Sequence, residues 1–292
     1  MGIKGLYTYL REYRGIVHPL KAAPMRIGVD ALSLLYKYKG DTKELLSLLQ
    51  GMVAVGHKVL FVFDGKAPPE KGAEIQERKE SKEGAQSKAT MIQEFLNTEE
   101  AGGLDATARR FFERSLERCE QQSWHVTRQT RRAFQDDLWN ISVPYVKSVS
   151  EADDVLVDLY KGGKLDAILS SDMDYLAAGV ERLWIPTIKG VFEEVLLSAV
   201  LEGERLEIAG FVDACIISRI SSATCVNAFT WMRHYKTIQG ILGSSISDMN
   251  IRSRLADVEL LEKERGRFKC QAPYSRIRPD HLERVQEFLD AL

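Results

Sequence analysis

The sequence predicts an α/β protein with a mainly parallel central sheet flanked by helices, a helical insertion and a helical C-terminal region. Three observations carry that expectation. Apolar runs at residues 26–29, 58–63 and 167–169 each lead into aspartates: Asp30, Asp64, and the pair Asp172 and Asp174. Segments of helical periodicity lie between them, so strands and helices alternate. Residues 150–174 also crowd Glu151, Asp153, Asp154, Asp172 and Asp174 around one amphipathic helix and one short strand. Strands that each end on a carboxylate present those carboxylates along one edge of a parallel sheet, where ligands sit in open α/β sheets. Grouped carboxylates repel one another and stay ionised at neutral pH only when a cation offsets them. Hard oxygen donors with no histidine nearby point to Mg²⁺ or Mn²⁺.

Taken in order, Leu6, Tyr9 and Leu10 mark a short amphipathic helix, and residues 21–24 turn into the first strand. Residues 31–38 and 43–55 have helical periodicity, the second segment capped by Asp41 or Thr42. After Asp64, the stretch GKAPP forms a rigid turn, because each proline fixes φ and cannot continue a sheet. Residues 70–97 are rich in Glu, Lys, Gln, Ala and Arg. That composition favours helix but supplies too small an apolar face for deep burial. The segment reads either as a solvated helix or as a cap over a site. Residues 99–103 break it, and Asp105 caps a second long helical stretch over 106–138, with a kink or break near Trp124. Arg109, Arg110, Arg114, Arg118, Arg128, Arg131 and Arg132 fall within it, partly balanced by Glu113, Glu117, Asp136 and Asp137. An ion-paired surface is one reading of that pattern.

Residues 143–146 form a short strand. Ser150 caps a helix over 151–160 whose first turn holds the carboxylates, a place that also suits the helix dipole, and Gly162-Gly163 ends it. Strands at 182–185 and 191–194 flank a turn at Lys189-Gly190. The remainder reads as helices at 194–201, 207–218, 223–234, from 238 onward, at 252–267 and at 280–292, the last two joined by residues 273–279. One compact body with a helical insertion is expected.

Composition narrows the class. The 292 residues are 45% apolar, ample for a packed core. No apolar stretch is long enough to span a membrane, and the N-terminus lacks a signal-peptide pattern. Cys119, Cys215, Cys225 and Cys270 include no Cys-x-x-Cys, so neither a zinc site nor a disulfide framework is indicated. A reducing intracellular compartment, nucleus or cytoplasm, is the expected setting. The net charge of −2 does not decide for or against nucleic acid, because a local basic stripe matters more than the total.

With these residues in view, the chain resembles the flap endonuclease/XPG family of structure-specific 5′ nucleases. MGIKGL is similar to the family's start, placing Gly2 near the site. IGVDALSLLY resembles the first acidic motif, with Asp30 as a metal carboxylate and Tyr36 as the aromatic that stacks on a substrate base. VLFVFDGKAPPEK resembles the second, giving Asp64 as a carboxylate and Lys71 as a basic gateway residue, with Arg78 at the second basic position. VPYVKSVSEAD resembles the third, giving Glu151 and Asp153; the form with Asp154 is similar to the bacteriophage branch. SSDMDYL resembles the fourth, giving Asp172 and Asp174.

The resemblance implies a PIN-like fold with a nuclease core over 1–220, a helical arch at about 66–140 and a helical region over 221–292. It implies two divalent cations, Mg²⁺ or Mn²⁺, one served by Asp30, Asp64, Glu151 and Asp153 and the other mainly by Asp172 and Asp174. Lys71 and Arg78 would offset charge on the scissile phosphate. Arg128 and Arg131 would hold the phosphate backbone of branched, flap or nicked DNA. The pattern breaks after Phe211: the family's Gly-Ser-Asp falls on Arg219-Ile220-Ser221, so Ser221 stands where the last metal carboxylate is expected. Asp154 or Asp213 would be left to compensate. The glycine-rich helix-turn-helix that grips duplex DNA is shorter here and lacks glycine, and no sliding-clamp peptide is recognisable. A monomeric nuclease of flap endonuclease or 5′–3′ exonuclease type is the first expectation. A weakened member acting as a nucleic-acid-binding scaffold, or a related ribonuclease acting on RNA, is the alternative.

Overall fold

The structure, a computed structural model, describes residues 3, 5–17, 19, 21–67, 69–187, 191–221, 223–244, 248–268, 283 and 286–288; Gly2, the Lys189-Gly190 turn and residues 273–279 lie outside them. The chain divides into two compact units, Met1–Lys66 with Arg132–Leu292, and Ala67–Arg131.

The first unit opens with α1 (Leu6–Tyr9), a 3-10 turn over Leu10–Tyr13 and strand β1 (Arg14–Val17). Strand β2 (Arg26–Asp30) leads into α2 (Ala31–Lys37), and α3 (Lys43–Ala54) leads to β3 (Lys58–Phe63). In the second unit, the 3-10 turn Pro69–Lys71 starts α4 (Gly72–Leu96), followed by α5 (Glu99–Gly102) and α6 (Ala106–Ser123). α4 packs on α6, with Ala85 and Ala89 of α4 buried and the Phe95 and Phe112 ring centroids 4.8 Å apart. The expected long helix is broken at Trp124, and α7 (Arg128–Asn140) returns the chain to the first unit, burying Phe134 against Phe61.

There β4 (Tyr145–Lys147), α8 (Ala152–Lys161), β5 (Ala167–Leu169), α9 (Asp174–Ala177), β6 (Arg182–Pro186) and β7 (Phe192–Leu196) complete the sheet. Helices α10 (Leu197–Glu204), α11 (Ile208–Ile220), α12 (Cys225–Tyr235), α13 (Ile238–Leu242), α14 (Met249–Ala256) and α15 (Val258–Arg267) follow. None of the described helices is long and apolar enough to cross a membrane.

Among the described residues, seven strands run in the order β1-β7-β6-β5-β2-β3-β4. From β6 to β4 all neighbours are parallel, while β7 is antiparallel to both β6 and β1. β2, β3 and β5 are buried almost throughout, as continuous apolar runs covered on both faces require. α8 lays Val155, Leu156 and Leu159 into the core next to this centre. Gly28 permits the close approach: a Cβ there would lie 2.5–2.6 Å from the side chains of Leu165 and Leu156.

Three expectations need correction, and β1 adds a strand over a stretch where the sequence predicts no element. The strand expected over 191–194 runs on to Leu196, so the helix expected from 194 starts at Leu197; Glu194 accepts hydrogen bonds from Arg182 and Trp184 on the neighbouring strand. The helix expected over 252–267 is two, since Asp257 accepts the Leu260 N–H and restarts the chain as α15. Ser150 does not cap α8; the N-cap is Glu151, and the cap bond comes from elsewhere in the chain.

Candidate active site

Asp64 supplies that bond. Its Oδ1 accepts the Ala152 N–H at 2.6 Å, so the carboxylate after β3 caps the first turn of α8. The local path makes this possible: Gly65 N–H donates to the Ser150 carbonyl at 2.7 Å and Lys66 N–H to that of Val149 at 3.1 Å. A side chain at Gly65 would run into the Ser148 and Val149 carbonyl oxygens. Asp64 and Asp153, 89 residues apart in sequence, are therefore fixed together by backbone.

Asp30 closes β2 and caps α2. Its Oδ1 accepts the Ser33 N–H at 3.0 Å and its Oδ2 the Ser170 hydroxyl at 3.1 Å. The same Ser170 oxygen accepts the Asp172 N–H at 3.0 Å, and Ser171 N–H donates to the Ser33 hydroxyl at 2.8 Å. The ends of β2 and β5 are thus stitched together, with Asp30 and Asp172 side by side. Asp153, in the first turn of α8, accepts the Tyr175 hydroxyl on Oδ1 at 2.7 Å.

The electrostatics report the same grouping. Burial, then the charges of Asp64 and Asp172, push Asp30 up to about 7 against the pull of the Ser33 and Ser170 donors. Burial likewise raises Asp153 well above the carboxylate range, helped by Asp30, Asp172 and Asp64, while the Tyr175 hydroxyl opposes the rise. Burial is the larger cause of both shifts, and the charges of the neighbouring carboxylates add to it. Asp172 lies between the two groups: its charge raises Asp30 and Asp153 as well as Asp174, and its Oδ1 accepts the Asp174 N–H at 3.0 Å.

Asp174 stands slightly apart. Burial and the Asp172 charge push it up to about 6, and Arg219 pulls it back. Arg219, on the last turn of α11, places a guanidinium nitrogen 3.0 Å from Asp174 Oδ2. Asp174 Oδ1 is buried with no hydrogen-bond partner. Ser221 does not take the place of a carboxylate: its hydroxyl donates to the Ile217 carbonyl at 2.6 Å and accepts the Ala223 N–H at 3.1 Å, ending α11. Asp213 does not compensate either, because Oδ1 accepts from Arg265 Nε at 3.1 Å and from a terminal guanidinium nitrogen at 2.9 Å.

The remaining candidates fall in other places. Glu151 caps α8 and Asp154 follows Asp153, turned about 100° around the helix from it. Tyr36 lies on α2, 43% exposed. Lys71 ends the 3-10 turn of the second unit, and Arg78 lies half-buried on α4. Arg128 is exposed and Arg131 half-buried at the start of α7. Ser33, Ser170, Tyr175 and Arg219 are the site residues that sequence reasoning missed. Only the Ser-Ser pair ahead of Asp172 offered a signal, since two hydroxyls beside a strand-end carboxylate are suited to orient it.

The donor set suits a hard divalent cation: oxygen-only, with Asp30 buried and Asp64, Asp153 and Asp172 half-buried, and carrying more negative charge than protein donors offset. Among the described residues no three His, Cys, Asp or Glu side chains already stand in the tight arrangement that holds a metal ion. Each of the four carboxylates keeps at least one oxygen on a protein donor.

Comparisons with known proteins agree with this architecture. Residues 142–220 match the family model described as XPG I-region. Flap endonuclease 1 of Komagataella phaffii is 28% identical, over 83% of this chain and 70% of that protein. Flap endonuclease 1-B of Physcomitrium patens is 29% identical, over 92% and 82%. Among solved structures, the catalytic core of Rad2 in complex with DNA substrate superposes with a TM-score of 0.62 at 16% identity, covering 99% of this chain and 95% of that one. Flap endonuclease-1 from Methanococcus jannaschii gives 0.61 at 18% identity, covering 99% and 97%.

Proposed function

We propose, from the premise that this chain belongs to the flap endonuclease/XPG family of structure-specific nucleases, that it is a divalent-metal-dependent 5′ nuclease acting on flap, branched or nicked DNA. The observation that carries the reading is the gathering of Asp30, Asp64, Asp153 and Asp172 at the C-terminal ends of β2, β3 and β5 and the start of α8. These four residues would hold Mg²⁺ or Mn²⁺. When bound, such a cation polarises the phosphodiester and supplies a nucleophile near neutral pH.

The chain's own groups do the positioning. Ser170 and Ser33 orient Asp30, the Ala152 N–H orients Asp64, and Tyr175 orients Asp153. Lys71 and Arg78 are assigned to neutralise the scissile phosphate, where a fixed cation stabilises developing charge. The exposed ring of Tyr36 is assigned to stack on a substrate base, a contact tolerant of sequence. Hydrolysis leaves a 5′-phosphate product.

Incubation with Mg²⁺ and end-labelled 5′-flap DNA, nicked duplex or single-stranded RNA tests the assignment. Cleavage of the flap and nicked substrates to 5′-phosphate products is expected. Preferential cleavage of the RNA, or DNA binding with no cleavage of any substrate, would replace it with the ribonuclease or scaffold reading.

A further inference from the structure

Arg219 has no role in the reading above, yet it reaches the acid cluster. Its side chain is only 17% exposed, and it joins two acids on different elements: Asp174 on α9 at 3.0 Å and, through Nε, Glu264 on α15 at 3.0 Å. Glu264 is itself buried and also meets Arg267 Nε at 3.3 Å. A guanidinium does not lose its proton in a protein, so this positive charge is permanent. It lies beside Asp174, which in turn adjoins Asp172 through the Asp174 N–H bond to Asp172 Oδ1 at 3.0 Å. Neither Asp213 on α11 nor the residue that caps it adds negative charge here: Asp213 is paired with Arg265, and Ser221 is a neutral hydroxyl that ends the helix.

We propose that the Arg219 guanidinium takes the place of a second divalent cation, so that the site binds one metal ion per chain and leaves Asp174 paired to protein. This rests on the metal-dependent reading above and narrows it. A second cation at Asp174 would meet a fixed like charge at contact distance, while the first, among Asp30, Asp64, Asp153 and Asp172, keeps its four acids. The pairing also ties α9 to α11 and α15, so the internal cation serves as a structural brace that a chelator cannot remove.

The test is Mn²⁺ binding without substrate, followed by the loss of the free-ion EPR signal on titration of metal-free protein. Wild type is expected to bind one Mn²⁺ per chain, Arg219→Lys also one, and Arg219→Met a second, weaker ion. Two ions on wild type, with Arg219→Met unchanged, would overturn this inference and leave the nuclease assignment standing. No ion on wild type would overturn both. The wild-type stoichiometry decides the matter even if Arg219→Met, which leaves Glu264 short of a partner, does not fold.

Discussion

Ser170 holds Asp30 and Asp172 in register: its hydroxyl donates to Asp30 Oδ2 at 3.1 Å and accepts the Asp172 N–H at 3.0 Å. One fully buried oxygen thereby connects the end of β2 to the loop after β5. Ser170→Ala removes both bonds while adding no bulk. Outer partners of metal ligands typically contribute about 10–100-fold to affinity or activity, and a loss in that range is expected in Mn²⁺ affinity and in cleavage rate. Calorimetric titration alongside a cleavage assay checks it; unchanged affinity would show that Asp30 is positioned by Ser33 alone.

Gly65 allows the chain after Asp64 to pass against the backbone of residues 148–150. Gly65→Ala forces a Cβ into two carbonyl oxygens, which backbone cannot yield without moving Asp64 away from α8. Overpacking of this kind costs about 1–3 kcal/mol. Urea unfolding of the variant is expected to fall by that amount, and Mn²⁺ affinity should fall with it because the displaced residue is Asp64.

Asp166 ties the loop before β5 to β2, accepting from the Arg26 N–H at 2.8 Å and from its guanidinium at 2.9 and 2.6 Å. Those bonds, chiefly the guanidinium ones, lower the Asp166 proton affinity in the folded state. A depressed carboxylate stabilises the fold above its unfolded pKa of about 3.9, and that stability is lost as pH falls through the lower folded value. The side chain is 39% exposed, so solvent screening holds the expected loss in Asp166→Ala to about 1 kcal/mol at pH 7. The gap between variant and wild type should shrink in acid, as the pH falls through that lowered folded value. Urea midpoints at neutral and acid pH read it directly, and a gap that persists in acid would refute the ionic account.

Much of this was legible in the chain. The three strand-end aspartates, their parallel strands and the break at Trp124 followed from apolar runs and turn chemistry, which are local. The misses are not local. Arg14-Gly15-Ile16-Val17 is too short to announce a strand, and only pairing with β7 makes it one. β7 runs two residues beyond the expected end at Glu194, because pairing with β6 continues as far as Leu196 opposite Arg182, and side-chain pairing outweighs intrinsic preference there. Arg219 meets Asp174 across 45 residues of sequence, and no spacing rule brings that guanidinium to that acid.

The arginines at the start of α7 give a salt-dependent prediction. Each phosphate contact adds about 0.9 to the slope of log affinity against log salt for duplex DNA. The double variant Arg128→Ala/Arg131→Ala should therefore lower that slope by about 1–2 and weaken flap binding roughly uniformly across sequences. Fluorescence anisotropy over a salt series checks it; an unchanged slope would return these residues to an ion-paired surface.

Single-turnover cleavage of 5′-flap DNA in millimolar Mn²⁺, comparing wild type with Asp172→Ala, addresses the acid cluster most directly. Asp172 adjoins Asp30 and Asp174 and adds to the charge that raises Asp153. Wild type is expected to cut faster by at least about 100-fold, beyond the loss typical of outer partners. Equal rates, with both proteins folded, would mean that the gathered carboxylates do not drive phosphodiester cleavage.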